Sequence, residues 1–276
     1  MPDRQPPAES ASAGATISRA VQAFQAGRPD EAISLTAAIL RADPADAAAA
    51  WVWGQVMLAQ GRSAEALAPL QTAARLSADP AIDMLLGRTL ANLGRTDEAE
   101  AVLRQAIARA PGFEMAFLEF VDQLNKAHRL GEAQAVAEQG LQTFPTSHAI
   151  RLALGYVLMR RNDRAAARAQ FAQVREEAPE RHDAMVALAE VLVLDGDHRG
   201  AARLYRSVLD QRPDHSTARM SLARCLLEIG ERTEAEALLR AAVRDDPGAA
   251  RVAITVLATT AHGRLFLRPS AAAGFL

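Results

Sequence analysis

Residues 80–113 read PAIDMLLGRTLANLGRTDEAEAVLRQAIARAPGF, and this stretch decides the fold. It holds two helix-length segments joined by a turn, and a proline, Pro111, closes the second. The same landmarks return along the chain. Pro111, Pro145, Pro179, Pro213 and Pro247 stand 34 residues apart. The alanine of the local DEA run recurs as Ala32, Ala66, Ala99, Ala133, Ala167, Ala201 and Ala235, at spacings of 33 or 34 residues. A fixed period of this length marks a stacked array of small helical units, none of which can bury its apolar face alone.

Three columns give each unit its first helix and its turn. A small residue falls at Ala20, Gly54, Gly87, Val121, Gly155, Ala189 and Ala223, where two helices must cross closely. The residue before it (Arg19, Trp53, Leu86, Phe120, Leu154, Leu188, Leu222) and the one three after it (Ala23, Met57, Leu90, Leu124, Leu158, Leu192, Leu226) form one helical stripe facing a core. Seven residues after the small position stand Gly27, Gly61, Gly94, His128, Asn162, Gly196 and Gly230. A left-handed residue commonly ends a helix, and Gly adopts that conformation without steric cost. Asn and His tolerate it better than most other residues. The second helix opens with cap and acid residues, as in Thr96-Asp97-Glu98, where the hydroxyl is expected to cap free N–H groups. Its core stripe runs from the alanine column to the residue four later: Thr36, Leu70, Leu103, Ala137, Phe171, Tyr205 and Leu239.

This order of landmarks resembles the tetratricopeptide repeat (TPR) family, whose pattern is W-x2-L-G-x2-Y, then A-x3-F, then P. The resemblance covers about residues 13–249, in seven units. It implies an all-α fold, a right-handed superhelical solenoid of helix–turn–helix units. The family's leading Trp and its Tyr are replaced here by apolar, polar or charged residues. The first unit is weak, with Arg19 and Ala23 at core columns. We read residues 1–14 as a disordered tail, 15–249 as the array, 250–262 as a capping helix and 263–276 as a tail.

Such an array works through its concave side, lined by first helices, which suits partner peptides or helices. The resemblance places Trp51, Gln55, Met84, Arg88, Asn92, Leu118, Asp122, Asn125, Leu152, Tyr156, Met159, Val186, Glu190, Met220 and Arg224 on that side. Aromatic residues, Met and Arg are types enriched at binding surfaces. The apolar members serve equally well as packing against the next unit. Relatives that clamp a chaperone's C-terminal carboxylate use a set of Lys and Asn residues on successive first helices. Asn125 and Lys126 alone do not make that set.

Composition narrows the function further. The net charge of −2 makes no case for a general nucleic-acid binder, and Lys126 is the only lysine. Cys225 is the only cysteine, so no intramolecular disulfide forms. The six histidines fall mostly in turns, with no metal-ligand spacing. There is no Walker A, Gly-x-Ser-x-Gly or G-x-G-x-x-G motif, so no catalytic residue, cofactor or metal is expected. No membrane span or secretory signal is seen, and a cytoplasmic location is the default expectation. The reading is a non-catalytic scaffold for a protein or peptide partner. The alternative is a regulatory or substrate-recruiting part of an enzyme system such as a glycosyl- or sulfotransferase. The segment after Pro247 is unusually apolar for the end of an array. It is expected to be covered by Leu265, Phe266, Leu267, Phe275 and Leu276, or to pair with a second copy as an end-to-end dimer.

Overall fold

Every hairpin among the described residues turns on one residue of positive φ. The computed structural model describes residues 8–263. In it Gly27, Gly61, Gly94, Gly196 and Gly230 take φ between 71° and 86°, and His128 and Asn162 take 60° and 62°. At each turn the next amide reaches back to the first helix, as Arg95 N–H does to the Leu90 carbonyl at 2.9 Å. This 6→1 bond satisfies a carbonyl that the helix end would leave orphaned.

Seven helical hairpins result: α1 (Ala8–Gln25) with α2 (Pro29–Ala42), α3 (Ala47–Ala59) with α4 (Ser63–Leu76), α5 (Pro80–Asn92) with α6 (Thr96–Arg109), α7 (Glu114–Lys126) with α8 (Leu130–Thr143), α9 (His148–Arg160) with α10 (Arg164–Glu177), α11 (His182–Leu194) with α12 (His198–Gln211), and α13 (Ser216–Glu228) with α14 (Arg232–Asp245). A 3-10 turn (Pro247–Ala249) leads into α15 (Ala250–Thr259). The described residues are all-α. Within each part second helices also pack on the next first helix, as α2 does on α3, α4 on α5, α6 on α7, α10 on α11 and α12 on α13. The chain divides into two compact parts, Met1–Ile150 and Arg151–Leu276, and each is described by itself.

Size complementarity between two columns sets the crossing inside a hairpin. A Cβ added at Gly54 would stand 3.0 Å from Leu70, and one at Gly87 2.7 Å from Leu103. At Gly155 it would overlap the Phe171 ring outright. The partner is the residue four after the alanine column, and it is fully buried in every hairpin. Bulk on one helix is matched by its absence on the other. The fourth hairpin exchanges the two, with Val121 in the small column and Ala137 in the large one, both buried.

Two local readings need correction. Thr96 does not cap α6. Arg95 holds the N-cap position without a side-chain cap bond, and Thr96 is the first helical residue. The N-cap arginine instead pairs with the glutamate three residues on. Arg28–Glu31, Arg62–Glu65, Arg95–Glu98 and Arg129–Glu132 all do so at 2.5–2.7 Å. The arginine pairs with the acid that also faces the positive end of the helix dipole. The second correction concerns the N-terminus. Helix α1 begins at Ala8, so residues 8–14, read as disordered, are helical. Ala-rich sequence carries a low cost of helix formation. The first hairpin also packs like the others, with Ala20 and Ala23 buried against Ala32, Val52 and Val56 while Arg19 is exposed. Residues 1–7 and 264–276 lie outside the described residues, and with them the expected cover from Leu265 to Leu276.

Trp53 shows how one irregularity is absorbed. Pro69 sits inside α4 and has no N–H to give the Glu65 carbonyl four residues earlier. The Trp53 indole Nε1–H donates to that carbonyl at 3.0 Å. The ring therefore stays half-buried instead of fully entering the core.

Replacing Gly155 by Leu should cost about 1–3 kcal/mol of stability by overpacking. The pair Gly155→Val with Phe171→Ala copies the exchanged fourth hairpin and should recover part of that loss. Chemical denaturation of the three proteins measures both; an unperturbed Gly155→Leu would mean the crossing is not tight.

Candidate functional site

Each part of the chain presents its own row of first-helix side chains. In the C-terminal part α9 contributes Tyr156, whose ring stands edge-on to Phe171 with centroids 5.1 Å apart. Tyr156 is 38% exposed despite its size. Partial burial pushes its phenol up to about 12, with the charges of Glu190 and Asp183 adding to the effect. Glu190 on α11 is half-buried, and burial raises its carboxyl above the usual range while Arg224 on α13 opposes the shift. Arg224 is exposed. Beneath them Tyr205 is fully buried, and burial pushes its phenol to about 12. The Ser221 hydroxyl works against that shift but does not meet hydrogen-bond geometry with the phenol oxygen. An aromatic ring, a carboxylate and a guanidinium thus come from three successive first helices.

In the N-terminal part the first-helix row is more committed to holding itself together. Arg88 on α5 donates through Nε to Glu119 Oε2 on α7 at 2.8 Å, and its NH2 group reaches the same oxygen. Gln123 donates to the other oxygen of Glu119 at 2.7 Å. Glu119 is only 6% exposed, so this network satisfies a buried carboxylate. Asp122 pairs with Lys126 at 2.6 Å, and the Asn92 amide donates to the Ser63 hydroxyl at 3.3 Å. Trp51 packs against the cluster formed by α1, α2 and α3, and Gln55 is half-buried.

Several residues expected on a binding face are placed otherwise. Met84 and Leu152 are 5% and 6% exposed and act as core. A first-helix position with an apolar side chain can serve packing as well as a binding face. Val186 and Met220 are half-buried against the core of the last hairpins, while Leu118, Asn125 and Met159 are also half-buried. Arg88 was expected to face a partner and is held by Glu119. The exposed members of the set are Asn92, Asp122, Tyr156 and Arg224. Sequence reading missed Glu119, although a signal was present. The corresponding positions in the other units are Ser18, Val52, Leu85, Ala153, Ala187 and Ser221, so Glu119 is the one charge in a column of small or apolar residues.

The family profile described as "Tetratricopeptide repeat" matches residues 23–88, 57–116, 124–192 and 192–258. The chain belongs to the tetratricopeptide repeat family. Solved structures of similar fold include a tetratricopeptide repeat protein from Parabacteroides merdae, 16% identical with a TM-score of 0.65, covering 89% of this chain and 98% of that one. Human IFIT1, solved as a dimer with m7Gppp-AAAA, is 16% identical with a TM-score of 0.62, covering 83% of this chain and 59% of that one. PilF of Pseudomonas aeruginosa is 17% identical with a TM-score of 0.59, covering 73% and 92%. At these identities the likeness concerns the fold alone. No curated protein sequence matches this chain.

Two further groups in this TPR protein, Cys225 and His215, are placed by burial and capping. Cys225 is buried, and burial pushes its thiol up to about 11, away from reactivity. His215 caps α13, its Nδ1 accepting from Ala218 N–H at 3.2 Å. Among the described residues no three His, Cys, Asp or Glu side chains are grouped to hold a metal, and no helix is long and apolar enough to cross a membrane.

Removing Arg88 alone should leave Glu119 buried without its cation. Arg88→Ala should therefore cost about 1.5–3 kcal/mol, and Arg88→Met with Glu119→Leu should restore most of it. Urea unfolding of single and double variants reads this directly. Glu190 gives a pH signature. Its folded pKa lies above the unfolded one, so its contribution is most favourable below the unfolded pKa and is lost as pH rises through the folded value. Glu190→Gln should raise the melting temperature near about pH 7 and leave it unchanged below about pH 3.

Proposed function

We propose that this TPR protein is a non-catalytic scaffold that binds a segment of a partner protein on the first-helix face of its C-terminal part. The observation that supports the reading is the triad of Tyr156, Glu190 and Arg224 on α9, α11 and α13. A large aromatic ring is left 38% exposed on a rigid aromatic support. Exposed aromatic and arginine side chains on a rigid frame are the residue types that dominate binding energy at protein interfaces. Flanking charges of both signs suit a peptide, whose backbone and side chains offer both donors and acceptors. The IFIT1 structure holds a capped RNA segment. This chain's near-neutral charge and its single lysine favour protein over RNA as the ligand class.

The test starts from affinity capture in the native host. Tyr156→Ala combined with Arg224→Glu should abolish capture of the main partner while helicity by circular dichroism persists. Arg244→Glu, an exposed change on α14, should leave capture intact. Loss of capture with Arg244→Glu and not with the paired variant would move the interface off this face. Nuclease-sensitive capture would replace the protein partner with RNA.

A further inference from the structure

The clefts between successive second helices tell the two parts apart. In the N-terminal part a cleft bounded by α4, α5 and α6 is lined by Arg75 and Arg109 together with Asp83. Arg109 pairs with Asp83 at 3.1 Å, and Asp83 is only 3% exposed. The positive charge of this cleft is met from inside by a buried carboxylate. The equivalent cleft in the C-terminal part, bounded by α10, α11 and α12, has about 350 Å³ of volume. Repeat equivalence puts Met185 where Asp83 stood, so the internal carboxylate is gone. Arg175 replaces Ala74, Arg203 replaces Ala101 and Arg168 replaces Leu67.

Arg168, Arg175 and Arg203 all line this second cleft and are exposed. None of the three guanidinium groups is ion-paired within the described residues, whereas the surface arginines around them commonly are, as Arg206 is with Glu231 and Glu234. One carboxylate borders the cleft, that of Asp197, and its Oδ1 accepts from Gly200 N–H at 2.8 Å as the cap of α12. The floor is apolar, made by Leu188, Leu192 and Leu204. Three cations and one capping carboxylate thus rim a mixed cleft with leucines in its floor and no buried carboxylate at the Asp83-equivalent position.

We propose that this second-helix cleft is a separate docking site for an acidic peptide segment of a partner, one that inserts an apolar side chain between carboxylates. Charge complementarity supplies the argument. Guanidinium groups offer planar forks of N–H donors that match carboxylates. The apolar floor distinguishes this site from one for a bare inorganic anion, which gains nothing from three leucines. Its rim lies on second helices α10 and α12, with leucines of α11 in the floor, so one chain could hold two segments at once.

The probe is a fluorescein-labelled hexapeptide, Asp-Glu-Leu-Phe-Asp-Glu, followed by anisotropy with the full chain. Saturable binding that weakens with added salt is expected, and Arg168→Glu with Arg203→Glu should weaken it about tenfold or more. Arg244→Glu with Arg251→Glu makes the same charge change at exposed positions outside the cleft and should leave binding unchanged; equal weakening there would reduce the effect to net charge and overturn the site. Replacing the leucine and phenylalanine of the probe by serine should also weaken binding. Failure of that change to matter, or displacement of the peptide by an equal concentration of inorganic phosphate, would make the cleft a simple anion site and overturn the proposal. No saturable binding would do the same, and loss with Tyr156→Ala alone would assign the peptide to the first-helix face. Circular dichroism confirms that each variant is folded.

Discussion

The close crossing of two helices inside each hairpin is the constraint on which the rest depends. At Gly155 there is no room for a Cβ because Phe171 already fills the space. That approach fixes the angle and distance of the two helices, and so decides which of their side chains meet the next hairpin. Once the crossing is fixed, the positive-φ residue seven positions on must end the first helix, and the chain must reverse. The alternation of bulk between two columns, including the exchange at Val121 and Ala137, means that the volume at the crossing matters more than which helix supplies it.

Arginine does the work that lysine would share in other chains. Four N-cap arginines pair with the glutamate one turn on, and others satisfy carboxylates that the stacking buries. Asp83, Glu100, Glu119 and Glu236 are all less than 9% exposed, and each has a guanidinium partner. Such pairs contribute little net stability, because desolvation offsets their attraction, but breaking one leaves a buried charge. Two of them, Glu119 with Arg88 and Glu100 with Arg129, tie one hairpin to the next. Where the repeat loses its carboxylate, as at Met185, the arginines nearby are left to seek a counter-charge elsewhere.

Tyr156 and Arg88 occupy the same helical column two hairpins apart, yet only Arg88 is held by an ion pair. The difference comes from the neighbouring first helix. Beside Arg88 lies Glu119, a charge in a column otherwise small or apolar, and it takes up the guanidinium. Tyr156 rests on Phe171, which supports the ring without covering it. A repeat array changes the chemistry of its first-helix face through such neighbours while the helices stay where they are.

The sequence by itself determined the helical hairpins, their number and the residues at their turns. These follow from local rules that repeat every 33 or 34 residues: an apolar stripe of helical period, a small residue at the crossing, a left-handed residue at the turn. It also determined that Met84 and Leu152 lie on first helices, but not that they would be buried. Burial, ion pairing and access depend on residues about one repeat away in sequence, brought alongside only when hairpins stack. The partner of Arg88, the hydrogen bond from Trp53 to the carbonyl freed by Pro69, and the unpaired arginines around Leu188 were therefore settled by the tertiary structure alone.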